Sequence, residues 1–133
     1  MKPTFLALLS AIALPLASTA SPANAEQSSL STGNGLLNFC RDQSNRLLCT
    51  AFINGFHTGA MNVSLLISVR ESGSYEEYKK KYKPYCRPDN VDAEQLLDIV
   101  LKHITDNPQN RHVDSGLLII FALKRAFPCP SDQ

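Results

Sequence analysis

Two stretches near the C-terminal end set the pattern of the chain. Ala93, Leu96, Leu97, Val100, Leu101 and Ile104 are apolar at the spacing of one helix face. Asp92 is placed to cap that helix, and Gln95 follows at capping-box spacing. Asp92 and Glu94 suit the positive end of its dipole, and Lys102 and His103 the negative end. Asp106-Asn107-Pro108 stops it, because proline disfavours helix in the residue before it. A second helix is predicted from near Pro108 to Phe127, where Pro128 and Pro130 end it. Its run Leu117–Leu123 is apolar on every side, which predicts a central buried helix. The run is too short to span a bilayer. A short connection makes the two helices antiparallel, so Cys86 before the first falls beside Cys129 after the second.

Upstream, a long helix is predicted from Arg46 to about Arg70. Leu48, Phe52, Phe56, Val63, Leu66 and Ile67 share one broad face of it. Ala51, Gly55 and Gly59 form a ridge of small residues at four-residue spacing. Glycine inside a helix costs about 1 kcal/mol relative to alanine, so the ridge predicts a close neighbouring helix. Leu36–Cys40 begins a short helical piece, and Asp42–Asn45 reads as a turn in which Ser44 or Asn45 caps the long helix. Glu71-Ser72-Gly73-Ser74 ends the long helix, and Ser74 with Glu77 caps a short new turn through Tyr82. No alternating strand pattern of useful length occurs. The fold class is therefore all-α, a small disulfide-stapled bundle of about four helices.

The N-terminus changes the picture of where the chain works. Lys2, the apolar run Phe5–Leu16 and Ala23-Asn24-Ala25 read as a secretory signal peptide over residues 1–25. Residues 26–35 read as a flexible tail, and 36–133 as the helical domain. Without Lys2 the chain has 12 basic and 12 acidic residues, and this neutrality argues against a nucleic-acid partner. Four cysteines in an exported chain point to two disulfides in an oxidising compartment such as the periplasm. Three connectivities are open to four cysteines. The antiparallel helix pair selects Cys86–Cys129, which leaves Cys40–Cys49 across a short turn.

Little in the chain points to catalysis. His57, His103 and His112 lie in no metal-ligand spacing, so no metal or other cofactor is expected. Ser115 near His112 and Asp114 does not resemble a nucleophile elbow. The chain does not read as an enzyme. Its candidate partner surface is the connection from Ser72 to Tyr85, where Tyr75, Tyr78, Lys79, Lys80 and Tyr82 interleave aromatic and basic side chains. The turn Asp42–Asn45, held between two cysteines, is the competing candidate.

Assembled in order, these residues resemble a known family. Phe39-Cys40, Cys49, Phe52-Ile53-Asn54-Gly55-Phe56, Gly59, Tyr85-Cys86-Arg87-Pro88, Val91, Gln95-Leu96, Pro108, His112 and Ala126-Phe127-Pro128-Cys129 look like the Rap/Tai immunity-protein family. The resemblance implies a small helical periplasmic protein, often dimeric. It also implies a partner: a peptidoglycan-cleaving amidase toxin delivered by type VI secretion, which the protein binds and blocks. The alternative reading is a small periplasmic stress chaperone activated by acid.

Overall fold

A computed structural model describes residues 30–130, so the expected leader and residues 26–29 of the expected tail lie outside the described residues. Five α-helices are present among the described residues: α1 (Gly33–Cys40), α2 (Arg46–Ser72), the single turn α3 (Tyr75–Glu77), α4 (Ala93–Asp106) and α5 (Ser115–Ala126). No strand is present among them. The four longer helices form the expected bundle, and α4 packs along both α5 and α2. Three of the starts have a local cause. Thr32 Oγ1 accepts from Gly35 N, Asp92 Oδ1 from Gln95 N, and Asp114 Oδ1 from Leu117 N. Gly73, at φ 64°, ends α2 in the left-handed conformation that glycine tolerates best.

The core lies between α4 and α5 and is closed by α1 and α2. Leu96, Leu97, Val100 and Ile104 of α4 meet Leu118, Ile119, Ala122 and Leu123 of α5, with Leu36, Leu37 and Ile53 behind them. Each fully buried aliphatic side chain contributes about 1.5–3 kcal/mol. The surface ion pairs of Arg46 with Glu94 (2.7 Å) and Asp98 (2.9 Å) contribute far less, about 0–1 kcal/mol each. Burial along the α4–α5 seam therefore decides stability. Both disulfides, Cys40–Cys49 and Cys86–Cys129, pair as the sequence predicts. In the chain-entropy model they contribute about 2.5 and 4 kcal/mol.

Four expectations need correction. Helix α5 starts at Ser115, not near Pro108, because Pro108–Asn110 forms a separate 3₁₀ turn and Asp114 supplies the cap. That helix is not buried on all sides, since Leu117 (49 %) and Phe121 (54 %) face solvent. The expected tail overlaps α1: Ser115 N donates to Ser31 O (2.9 Å) and Gly33 N to Val113 O (3.0 Å), which pins residues 31–35 to the start of α5.

The fourth correction concerns α2. Its buried residues are Cys49, Ile53, His57 and Ser68, whereas Leu48, Val63, Leu66 and Ile67 are exposed. The inward face was misassigned because covalent and polar ties set it. Cys49 is bridged, His57 bonds to Tyr85, and Ser68 Oγ donates to Ser74 O (3.3 Å). A side chain at Gly55 or Gly59 would meet nothing within 4 Å. The close approaches are elsewhere: a Cβ at Gly116 would lie 2.8 Å from the Phe56 ring, and one at Gly33 would strike Leu118.

In dilute solution Gly59→Ala is expected to raise stability by about 0.5–1 kcal/mol, since it adds helix propensity and meets no atom. Urea unfolding followed by circular dichroism tests this, and a loss above 1 kcal/mol would restore the close-neighbour reading.

Candidate partner-binding site

The connection after α2 is anchored from behind by its own tyrosines. Ser74 caps α3 through Glu76 N, and residues Tyr78–Tyr82 continue as a π turn in which Lys83 N donates to Tyr78 O (3.0 Å). Tyr78 is buried, with its hydroxyl 3.4 Å from Met61 Sδ and 3.5 Å from Met61 O on α2. Tyr82 Oη donates to Glu71 Oε2 (2.6 Å), and Lys81 Nζ lies 5.4 Å from the Tyr82 ring centre. Tyr75 stacks on Tyr78 at 5.7 Å between ring centres and is itself 56 % exposed. Of the five residues expected to bind a partner, Tyr78 and Tyr82 thus hold the segment to α2. Tyr75 is presented outward, and Lys79 and Lys80 lie in the π turn between them. Lys81 joins Tyr75 on the exposed side.

The far end of the segment is fixed more firmly. Cys86 N donates to Phe127 O (2.8 Å) beside the Cys86–Cys129 bridge. Tyr85 is fully buried, and its hydroxyl lies 2.6 Å from His57 Nδ1. Burial pushes the Tyr85 phenol up to about 12, so it stays protonated, and its hydroxyl and Nδ1 share one hydrogen bond. His57 is displaced downward from its ordinary value by burial first, then by the cations Arg87 and Lys83. No Asp or Glu lies on α2 between Arg46 and Arg70, so no carboxylate of its own helix offsets them.

The competing turn is equally built. Asp42 Oδ1 accepts from Ser44 N (2.9 Å) and Ser44 Oγ (2.8 Å), and these bonds hold its carboxyl below the usual range. Asn45 Nδ2 donates to Phe39 O (3.1 Å) rather than capping α2. Arg41, Gln43 and Ser44 point to solvent. The two candidates are thus separate surfaces, the tyrosine segment following the C-terminal end of α2 and the turn preceding its N-terminal end.

A groove of about 520 Å³ that the sequence does not signal runs along the outer side of the α4–α5 seam, lined by Ile99, Lys102, His103, Asp106, Ala122 and Arg125. Lys102 and Asp106, one turn apart on α4, pair along one wall of it at 2.8 Å. Residue spacing along one helix carries no mark of a groove built from two.

The described residues thus form a disulfide-stapled helical domain with short, ordered connections set on a hydrophobic core. The chain belongs to the Rap1a immunity protein family, whose model matches residues 32–129. The match takes in both disulfides, the tyrosine segment and the turn. No curated protein and no solved structure matches it significantly. Membership implies an inhibitor of an effector rather than an enzyme. No helix among the described residues is long and apolar enough to cross a membrane.

The buried His57–Tyr85 pair generates a pH prediction. A histidine displaced downward in the folded state contributes stability that is complete above its unfolded value, about 6.5. That stability is lost as pH falls through 6.5 towards the folded value. The urea midpoint is therefore expected to drop between pH 7.5 and 5. His57→Gln keeps a partner for Tyr85 but does not titrate, so it should flatten part of that drop. An identical pH dependence in both proteins would exclude His57 as its source.

Proposed function

We propose that this protein neutralises a peptidoglycan amidase toxin delivered by type VI secretion, and does so in the periplasm. The observation that carries this reading is the family match across residues 32–129, which spans the whole stapled core and both exposed connections. The two disulfides support an oxidising compartment, as does the predicted leader. Inhibition works by occlusion. A connection already ordered in the free protein enters the amidase cleft, and little conformational entropy is lost on binding. The Tyr75–Tyr82 segment suits this role because Tyr78, Tyr82 and Tyr85 hold its back while Tyr75 and Lys81 face outward.

A second reading, an acid-responsive periplasmic chaperone, is favoured by one observation: His57 is buried against two cations with no carboxylate acting on it. Protonation there loosens the connection and uncovers the apolar surface beneath it. A client-aggregation assay at pH 7 and pH 4 separates the readings, since an immunity protein gives no protection at either.

Tyr75→Ala with Lys81→Glu is expected to weaken the complex with the amidase encoded beside this gene by about tenfold or more, at unchanged melting temperature. Tyr78→Ala is unsuitable for this test, because the side chain is buried and its loss lowers stability. Unchanged affinity in the double variant, with loss in Arg41→Glu and Gln43→Ala, would move the site to the Asp42–Asn45 turn. Mass spectrometry of the exported chain is expected to show Glu26 as its first residue.

A further inference from the structure

The groove along the outer side of the α4–α5 seam carries a cation that the fold has not used. Arg46 is spent on Glu94 and Asp98. Arg111 donates through Nε to Ile104 O (2.9 Å) and through Nη2 to Thr105 O (2.7 Å), closing the C-terminal end of α4. Arg125 lines the groove from α5 and makes no hydrogen bond or ion pair among the described residues. The groove's own carboxylate, Asp106, accepts from Lys102 Nζ through Oδ2 (2.8 Å) instead. A place in the last turn of α5 suits Arg125 to the helix dipole, but Lys124 beside it supplies the same charge. The dipole alone therefore does not account for a guanidinium at the groove.

The opposite wall is of the other kind. Asn107 Nδ2 donates to His103 O (2.8 Å), which leaves Asn107 Oδ1 as an acceptor. Asp106 Oδ1 is likewise outside the bond to Lys102. Ile99, Ala122 and Ala126 supply apolar surface between these polar groups. The groove thus offers a planar fork of donors from α5, acceptors from α4 and its end, and a small apolar floor. An inorganic anion would meet the fork but be repelled by Asp106, and a plain aliphatic would leave the fork unpaired. A peptide that ends in a free carboxylate engages all three.

We propose that the α4–α5 groove binds the carboxylate end of a peptide with small apolar side chains. The carboxylate takes the Arg125 guanidinium in a two-pronged pair, a geometry that arginine supplies and lysine does not. Amide N–H groups of the peptide donate to Asp106 or Asn107, and its side chains cover Ile99, Ala122 and Ala126. The volume of about 520 Å³ lies within the usual range for small-ligand sites, about 300–1,000 Å³. His103 tunes the site. Burial first, then Arg125, displaces its imidazole downward, with Asp106 acting the other way. Lys102 lines the groove one position before it. His103 is therefore neutral at pH 7.5 and becomes a second cation beside the ligand in acid. A terminal carboxylate, with an ordinary value of about 3.3–3.7, stays ionised throughout. Binding accordingly tightens as pH falls through the His103 value below 6.5. The two candidate effector surfaces adjoin the ends of α2, so this site stands or falls independently of how the effector is bound.

The test is heteronuclear NMR of the exported chain, titrated with N-acetyl-alanyl-alanine to about 20 mM, enough to detect millimolar binding. The backbone amides of Ile99, His103, Asn107 and Arg125 should shift. The C-terminal amide of the same peptide should bind about tenfold or more weakly, and Arg125→Gln should lose as much for the free acid at unchanged melting temperature. Arg125→Lys should recover only part of the loss, and Ala126→Leu, which fills the floor, should also weaken binding. Affinity should rise about two- to fivefold between pH 7.5 and 5.5, and His103→Gln should abolish that rise. A longer peptide with the same end that binds more tightly would make a protein tail the source of the ligand. Equal affinity would make it a short peptide, and the site holds in both cases. Absence of shifts in the groove, equal binding of acid and amide, or full affinity in Arg125→Gln would each overturn the proposal. A pH dependence unchanged in His103→Gln would overturn the role of the histidine.

Discussion

The bridge between Cys86 and Cys129 joins the entry of α4 to the exit of α5, and the rest of the molecule is assembled on the pair it holds. With the two ends joined, the apolar stripe of α4 has one partner within reach, the inner side of α5. The seam they form supplies most of the buried aliphatic side chains. Helix α1 and the inward side of α2 then close over that seam. The second bridge, Cys40–Cys49, fixes the angle at which α2 leaves α1 and turns Cys49 inward. The backbone bond from Cys86 N to Phe127 O places the tyrosine segment beside the same staple. The proposed recognition surface thus inherits its rigidity from the covalent frame.

Much of this was legible in the residues. Periodicity and a single capping aspartate located α4 and its first residue, and helix direction selected the Cys86–Cys129 pairing. What failed was the assumption that the more apolar side of a helix faces the core. On α2 the inward positions are Cys49, Ile53, His57 and Ser68, and each owes its place to a bond or a contact that no periodicity encodes. Leu66 and Ile67 are more hydrophobic and lie outside. The same assumption made α5 look buried all round, although Leu117 and Phe121 are open. Both errors have one physical source. Hydrophobicity reports that burial would be favourable; it does not say which face of a helix the rest of the chain can reach.

At the candidate site, residue type was legible and orientation was not. Tyrosines alternating with lysines marked the segment, but its one-turn helix and π turn do not keep a regular period. Which tyrosine is an anchor depends on Met61, Glu71 and His57, which lie on α2 far from the segment in sequence. Only the folded arrangement separates the buried Tyr78 from the exposed Tyr75.

The two bridges also make the fold conditional on its surroundings. Domains of this size are stable by about 5–15 kcal/mol in all. A chain with four free thiols forgoes about 6.5 kcal/mol of restriction on its unfolded state, a large part of that total. Stability arrives with oxidation, so the redox state of the surroundings acts as a licence for the folded form.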